Sequence, residues 1–137
     1  MGTLQSVSAK PVVVVLVEDE FLIRALMADV LSDAGFDVRE AADAHEALVI
    51  LQAHQGEVSL LFTDIHMPGT MDGLALVHHV HENWPWIRLL IASGKARLEP
   101  SDLPPGAHFV PKPYDLKDTV DRVRRMAIHH TAPPTMQ

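Results

Sequence analysis

Val12-Val13-Val14-Val15-Leu16-Val17, followed at once by Glu18-Asp19-Glu20, is the stretch on which the fold turns. A strand with one wet face alternates apolar and polar residues. A continuous β-branched run is instead expected of a strand covered on both faces, as in parallel sheets. Pro11 marks its start, and the acidic triplet ends it. Residues Glu20 to Ala34 then read as helix, because Leu22, Leu26 and Val30 recur every four residues and Gly35 sits where a helix C′ glycine belongs.

The same alternation continues to the end of the chain. Phe36 to Glu40 reads as a second strand. Asp43 followed by Glu46 resembles a capping box and opens a helix to about His54. Val58 to Thr63 is a third, buried strand. After the loop His66-Met67-Pro68-Gly69-Thr70-Met71, Asp72 caps a helix to about Asn83. Trp84-Pro85-Trp86 reads as a helix-to-strand junction, and Trp86 to Ala92 is a fourth strand. Ala107 to Val110 is a fifth. Asp115 caps a last helix with Leu116, Val120, Val123 and Ala127 on one face. Strand–helix alternation implies crossover connections, a parallel sheet and an α/β three-layer sandwich with helices on both faces.

Composition narrows the function classes. The chain has 137 residues, 47% of them hydrophobic and 21% charged, which fits one globular domain with a real core. Eighteen acidic residues face eleven basic ones, a formal charge of −7, which argues against nucleic-acid binding by bulk charge. With no cysteine, disulfides, thiolate metal sites and Cys nucleophiles are excluded. No apolar run approaches the ~20 residues a membrane span needs. The expected division is an N-terminal tail at 1–10, one domain at 11–129 and a C-terminal tail at 130–137, with the cytoplasm as the compartment.

In open α/β sheets the working site lies beyond the carboxyl ends of the strands. Strand one ends in Glu18-Asp19 and strand three in Asp64. If these strands are neighbours, three carboxylates converge, and two unit charges 4 Å apart cost on the order of 4 kcal/mol at an effective dielectric of ~20. A cation or a proton relieves that cost. An all-oxygen cluster suits Mg²⁺. Carboxylates after strands also cap helices, and Glu18-Asp19 alone fits that reading too. Asp64 precedes a loop with no helix start of its own. Strand four ends in Ala92-Ser93-Gly94, a small hydroxyl with room for an oxyanion, or an ordinary Ser-Gly turn. Strand five ends in Val110-Pro111-Lys112-Pro113, where two prolines stiffen the chain around a lysine that, alone, also fits a solvated loop. Together these residues describe a phosphoryl-transfer site with Asp64 as carboxylate nucleophile.

These stretches, with Thr63-Asp64-Ile65-His66-Met67-Pro68, Met71-Asp72-Gly73 and Phe109-Val110-Pro111-Lys112-Pro113, resemble the receiver domain of two-component response regulators. The resemblance runs from about Val12 to Ala127 and points to a single-domain, chemotaxis-type regulator. It implies a flavodoxin-like sheet of order 2-1-3-4-5. Asp64 is then the phosphoacceptor, fed by a histidine kinase or a phosphotransfer protein. Glu18, Asp19, Asp64 and the backbone carbonyl of His66 hold Mg²⁺ or Mn²⁺. Lys112 pairs with phosphoryl oxygens. Ser93 and Phe109 form the switch, and Lys112-Pro113 is cis. The protein is thereby expected to be a signalling switch that promotes its own phosphorylation and dephosphorylation. It would read out to a protein target as a monomer or weak dimer, with no direct contact to nucleic acid or membrane, and a kinase helix docks near the first helix. A phosphorylation-independent interaction module and a metal-dependent phosphohydrolase are the alternatives.

Two departures from the family pattern stand out. The Pro68–Asp72 loop is about one residue longer, and Ser93–Lys112 is about three residues shorter and carries Pro100, Pro104 and Pro105. The fourth helix of the family is therefore expected to be short or irregular here. His66, two positions after Asp64, and Lys95, two after Ser93, are candidates for tuning phosphate lifetime. His78, His79 and His81 read as a solvated helix face, with metal binding as the sharper alternative. Lys117, Arg122, Arg124 and Arg125 make the last helix basic outside.

Overall fold

A computed structural model describes residues 10–67, 69, 71–94 and 99–128. Five strands form one parallel sheet in the order β2-β1-β3-β4-β5: β1 (Val13–Val17), β2 (Asp37–Ala41), β3 (Val58–Asp64), β4 (Arg88–Ser93) and β5 (His108–Pro111). Among the described residues four α-helices cover it: α1 (Phe21–Asp33), α2 (Ala44–His54), α3 (Gly73–Asn83) and α4 (Leu116–Ile128). The architecture and strand order are those expected. None of the described helices is long and apolar enough to cross a membrane. The expected terminal tails lie outside the described residues, apart from Lys10.

The unbroken apolar run of β1 has a direct cause. Side chains alternate across a strand, and β1 is central, paired with β2 on one side and β3 on the other. Val13, Val15 and Val17 enter the core layer with Leu51 of α2 and Leu76, Val77 and Val80 of α3. Val14 and Leu16 enter the opposite layer with Met27 and Leu31 of α1 and Val120, Val123 and Met126 of α4. Both faces are dry, and each fully buried Val or Leu contributes about 1.5–3 kcal/mol.

Helix ends follow the local chemistry. Asp43 accepts from Glu46 N at 2.9 Å while Glu46 accepts from Ala42 N at 2.8 Å, a near-reciprocal cap. Asp72 and Asp115 cap α3 and α4 through Ala75 N and Asp118 N. Gly35, at φ +101°, ends α1 with Phe36 N bonded to Leu31 O and Gly35 N to Ser32 O, the Schellman pattern.

The repeat that marked the first helix does not name its buried side, although Val30 packs against the core. Leu22 and Leu26 do not point into the core; they are 78% and 53% exposed, and the helix buries Met27, Ala28 and Leu31. Helix α1 is apolar around most of its girth, so a four-residue repeat did not single out the side the sheet uses. On α4, Val120, Val123 and Met126 are buried and Ala127 is partly buried.

The Pro-rich connection between β4 and β5 is described from residue 99 onward. Its helical element among the described residues is a 3₁₀ turn, Pro100–Asp102. Asp102 closes this turn, its N–H donating to Glu99 O at 2.8 Å and its carboxylate accepting from Glu99 N at 3.0 Å. His78 Nε2 lies 2.7 Å from Asp102 O and ties the turn to α3.

Candidate functional site

The carboxyl edge of β1 delivers Glu18 into the protein rather than into solvent. Its N–H continues the sheet to Ala41 O at 3.0 Å, and the residue is only 1% exposed. One carboxylate oxygen, Oε2, accepts from Glu20 N at 3.1 Å and so serves the uncapped first turn of α1. The other, Oε1, accepts from Lys112 Nζ at 3.1 Å.

Asp64 is the last residue of β3 and pairs in register with Ala92 of β4. It is 6% exposed. Its Oδ2 accepts from Lys112 Nζ at 3.1 Å, and its Oδ1 from His66 N at a long 3.4 Å. Its backbone is fixed from the helix side: Gly73 N donates to Ile65 O at 2.9 Å, and a Cβ at Gly73 would run into the Asp64 carbonyl oxygen. Only glycine permits α3 to start that close to the strand.

Lys112 reaches this place from the end of β5. Its N–H donates to Ser93 O at 3.0 Å, and the bond to Pro113 is cis. The ammonium therefore spans the ends of β1 and β3. Asp19 is exposed beside them, and one oxygen from each of Glu18, Asp19 and Asp64 lies within 4.8 Å of the others.

Electrostatics show what the cluster lacks. Burial, reinforced by the charge of Asp64, holds the Glu18 carboxyl above the ordinary range despite the Glu20 N–H and Lys112. Burial alone would lower Lys112, but its bonds to Glu18 and Asp64 outweigh that and hold it above the ordinary lysine range. Three carboxylates against one ammonium leave a formal −2 in a partly dry place. A divalent cation fits that deficit and that oxygen donor set.

Ser93 lies at the same sheet edge, 3% exposed and paired in register with Pro111. Phe109 sits on β5 opposite Ile91 and is 36% exposed. His66 is exposed, with its backbone drawn to Asp64. Lys95 lies outside the described residues.

Two side chains at the site were not picked out from the sequence. Arg24, on α1, donates through Nη1 to Glu18 O at 2.7 Å, meets Glu40 of β2 at 3.3 Å and stacks over Phe21. The signal was available, since Arg24 is the one cation in a mostly apolar helix. Tyr114 places its ring 5.7 Å from Lys112 Nζ, and burial, with the charges of Glu18 and Asp64, pushes its phenol up so that it stays protonated. It is the single tyrosine of the chain.

Comparison with known proteins bears on this edge chemistry. The profile of the response regulator receiver domain matches residues 14–124. The sensor kinase CckA of Brucella abortus is 37% identical over 118 residues, covering 82% of this chain but 12% of CckA. The response regulator receiver protein CpdR of the same organism is 34% identical over 118 residues, covering 84% of this chain and 96% of CpdR. The solved receiver domain of NtrX from Brucella abortus superposes with a TM-score of 0.76 at 32% identity, covering 85% of this chain and 98% of that one. A profile spanning all five strands, and relatives at this identity, make the conclusion direct: the chain belongs to the response regulator receiver domain family, the phosphoacceptor switches of two-component signalling.

Proposed function

We propose that Asp64 is the phosphoacceptor and that Glu18, Asp19, Asp64 and the His66 carbonyl hold Mg²⁺ or Mn²⁺. Receiver domains bind Mg²⁺ at an acidic pocket. The observation that carries the assignment is the bifurcated Lys112 ammonium, 3.1 Å from both Glu18 and Asp64, with an Asp19 oxygen within 4.8 Å of an oxygen of each. It leaves Asp64 as the carboxylate that ends the middle strand β3, paired to a lysine inside an acidic cluster.

In the reaction an Asp64 carboxylate oxygen forms the bond to phosphorus. The bond from phosphorus to the donor breaks, and the leaving group (the imidazole of a phosphohistidine, or acetate from acetyl phosphate) keeps the electron pair. Lys112 stays charged and pairs with a phosphoryl oxygen. A bound divalent ion supplies further neutralisation of phosphoryl oxygens. Ser93 donates its hydroxyl to the new phosphoryl group, and Phe109, exposed in this structure, turns inward. His66 and Lys95 tune how long the acyl phosphate lasts. Phosphorylation shifts the population only through such differential contacts.

A histidine kinase or phosphotransfer protein docks beside α1, where Phe21, Leu22 and Leu26 are 66%, 78% and 53% exposed. Apolar side chains left outside on one helix suit a partner helix better than water. Output goes to a protein target from a monomer or weak dimer in the cytoplasm.

Intact mass after treatment with acetyl phosphate and Mg²⁺ tests the reading. The expected result is one added phosphoryl group on the wild type and none on Asp64→Asn. Equal labelling of both overturns the assignment of Asp64. An unlabelled wild type instead supports a phosphorylation-independent module.

A further inference from the structure

Among the described residues, the Lys112 ammonium meets two carboxylates and an aromatic ring. It donates to Glu18 Oε1 and Asp64 Oδ2 at 3.1 Å each, and it lies 5.7 Å from the centre of the Tyr114 ring. We infer that Tyr114 is a positioning residue for Lys112, its ring keeping the ammonium at the acceptor while the carboxylate that Lys112 bonds becomes an acyl phosphate. The inference rests on the proposed role of Asp64.

The ring is itself held in place. It packs edge-on against Phe62 at 5.6 Å and 74°. Phe62 is fully buried in β3, two residues before Asp64. Ring and acceptor are thus referred to one strand. Tyr114 also packs on the core layer that contains Val14, Leu16, Val110 and Val120. Between Lys112 and Tyr114 the chain passes through Pro113, whose φ is fixed, so rotation there does not easily part them.

The chemistry explains why a ring serves where a fourth carboxylate would not. Another carboxylate would deepen a site already carrying a formal −2. An aromatic face attracts a cation through its quadrupole, adds no net charge and imposes no bond direction. When an Asp64 oxygen becomes bonded to phosphorus, negative charge moves outward onto the phosphoryl oxygens. Lys112 has to follow that charge. Its bond to Asp64 is broken by the move, while its attraction to the ring tolerates it. A packing role alone would be filled by any apolar side chain of similar size.

The test measures labelling by acetyl phosphate at saturating Mg²⁺ in the whole chain, together with Mg²⁺ affinity by calorimetry. Tyr114→Phe keeps the face and is expected to label at close to the wild-type rate. Tyr114→Leu is expected to label about three- to tenfold more slowly. Its Mg²⁺ affinity should be unchanged or higher, because ammonium and ion compete for the same carboxylates. Slower labelling with Mg²⁺ affinity undiminished is what general loosening would not produce. Phenylalanine at 114 carrying successive ring fluorines keeps the shape should Leu not fold, and its labelling rate should fall stepwise as the face loses electron density. Overturning results are wild-type labelling by Tyr114→Leu, a Tyr114→Phe as slow as the Leu variant, labelling and Mg²⁺ affinity falling together, or a flat fluorine series. A wild type that does not label removes the Asp64 assignment itself, whereas a labelling wild type with a flat series removes only the role of the ring.

Discussion

Lys112 Nζ stands equally far, 3.1 Å, from Glu18 Oε1 and Asp64 Oδ2, so one ammonium bridges the ends of two strands. Both carboxylate side chains are buried, at 1% and 7% exposure, and the lysine is 16% exposed. Lys112→Ala would leave two inward carboxylates without their cation. Breaking one side of such a pair costs about 3–5 kcal/mol, and the partial exposure of Lys112 places the expected loss near the lower bound, about 3 kcal/mol. Urea unfolding without metal measures it, and added Mg²⁺ should recover most of the loss. Labelling by acetyl phosphate should slow by about a hundredfold. Unchanged metal-free stability would contradict the pairing.

Gly73→Ala sets a methyl group against the Asp64 carbonyl oxygen. The obstacle is main chain, not a flexible side chain, so the start of α3 or the end of β3 has to shift. The expected cost is about 3 kcal/mol. Slower labelling should accompany it, because the shift displaces the acceptor. A variant as stable as wild type, read by thermal unfolding, would show that α3 relaxes without strain.

Arg24→Met keeps an apolar stem and removes the guanidinium that donates to Glu18 O at 2.7 Å. Hydrogen bonds involving a charged group contribute about 1.5–3 kcal/mol, and a loss near 2 kcal/mol is expected. The loop carrying Glu18 and Asp19 should also loosen, weakening Mg²⁺ by about tenfold, the usual size for a group supporting metal ligands. Calorimetric titration with Mg²⁺ decides; full affinity in a destabilised variant would confine Arg24 to a structural role.

His108 gives a pH signature away from the acidic site. Burial first, then the positive charges of Arg122 and Arg88, hold its imidazole below the ordinary range. Arg122 Nη1 lies 3.5 Å from its Nδ1, a contact suited to a neutral ring that accepts. With a depressed folded-state pKa, the unfolded chain takes up the proton first. The contribution is therefore present above the unfolded value, about 6.5, and drains away as pH falls through the folded value. Wild type should lose more stability than His108→Gln between about pH 7.5 and about pH 5.5. Parallel losses in urea titrations at the two pH values would remove His108 as the cause.

The sheet and its edge were readable because each signal was local. A dry strand needs an unbroken apolar run, and a residue that ends such a strand is delivered to the edge whatever the helices do. Thus Glu18, Asp64, Ser93 and Lys112 were placed by their position after Val17, Thr63, Ala92 and Pro111 alone. The face of α1 was not readable. With Phe21, Leu22, Ile23, Leu26, Met27, Val30 and Leu31 spread around it, the packing partner chooses the side. Arg24 and Tyr114 escaped for another reason. Each acts on a residue that is distant in sequence or reached through a turn: Arg24 on a main-chain carbonyl across the β1–α1 junction, Tyr114 on an ammonium across a cis proline. Neither relation leaves a periodicity.

Arg24 donates to Glu18 O and places its guanidinium carbon 5.6 Å from the centre of the Phe21 ring, and Phe21 belongs to the apolar surface of α1 left open to solvent. Any protein that covers Phe21 strips water from this stack. Drying raises the strength of a charge–dipole contact, so the grip on the loop bearing the acid pair stiffens at the moment of encounter. If a partner docks on α1 as proposed, Arg24 is the side chain that joins the covered surface to the residues of the acid pair.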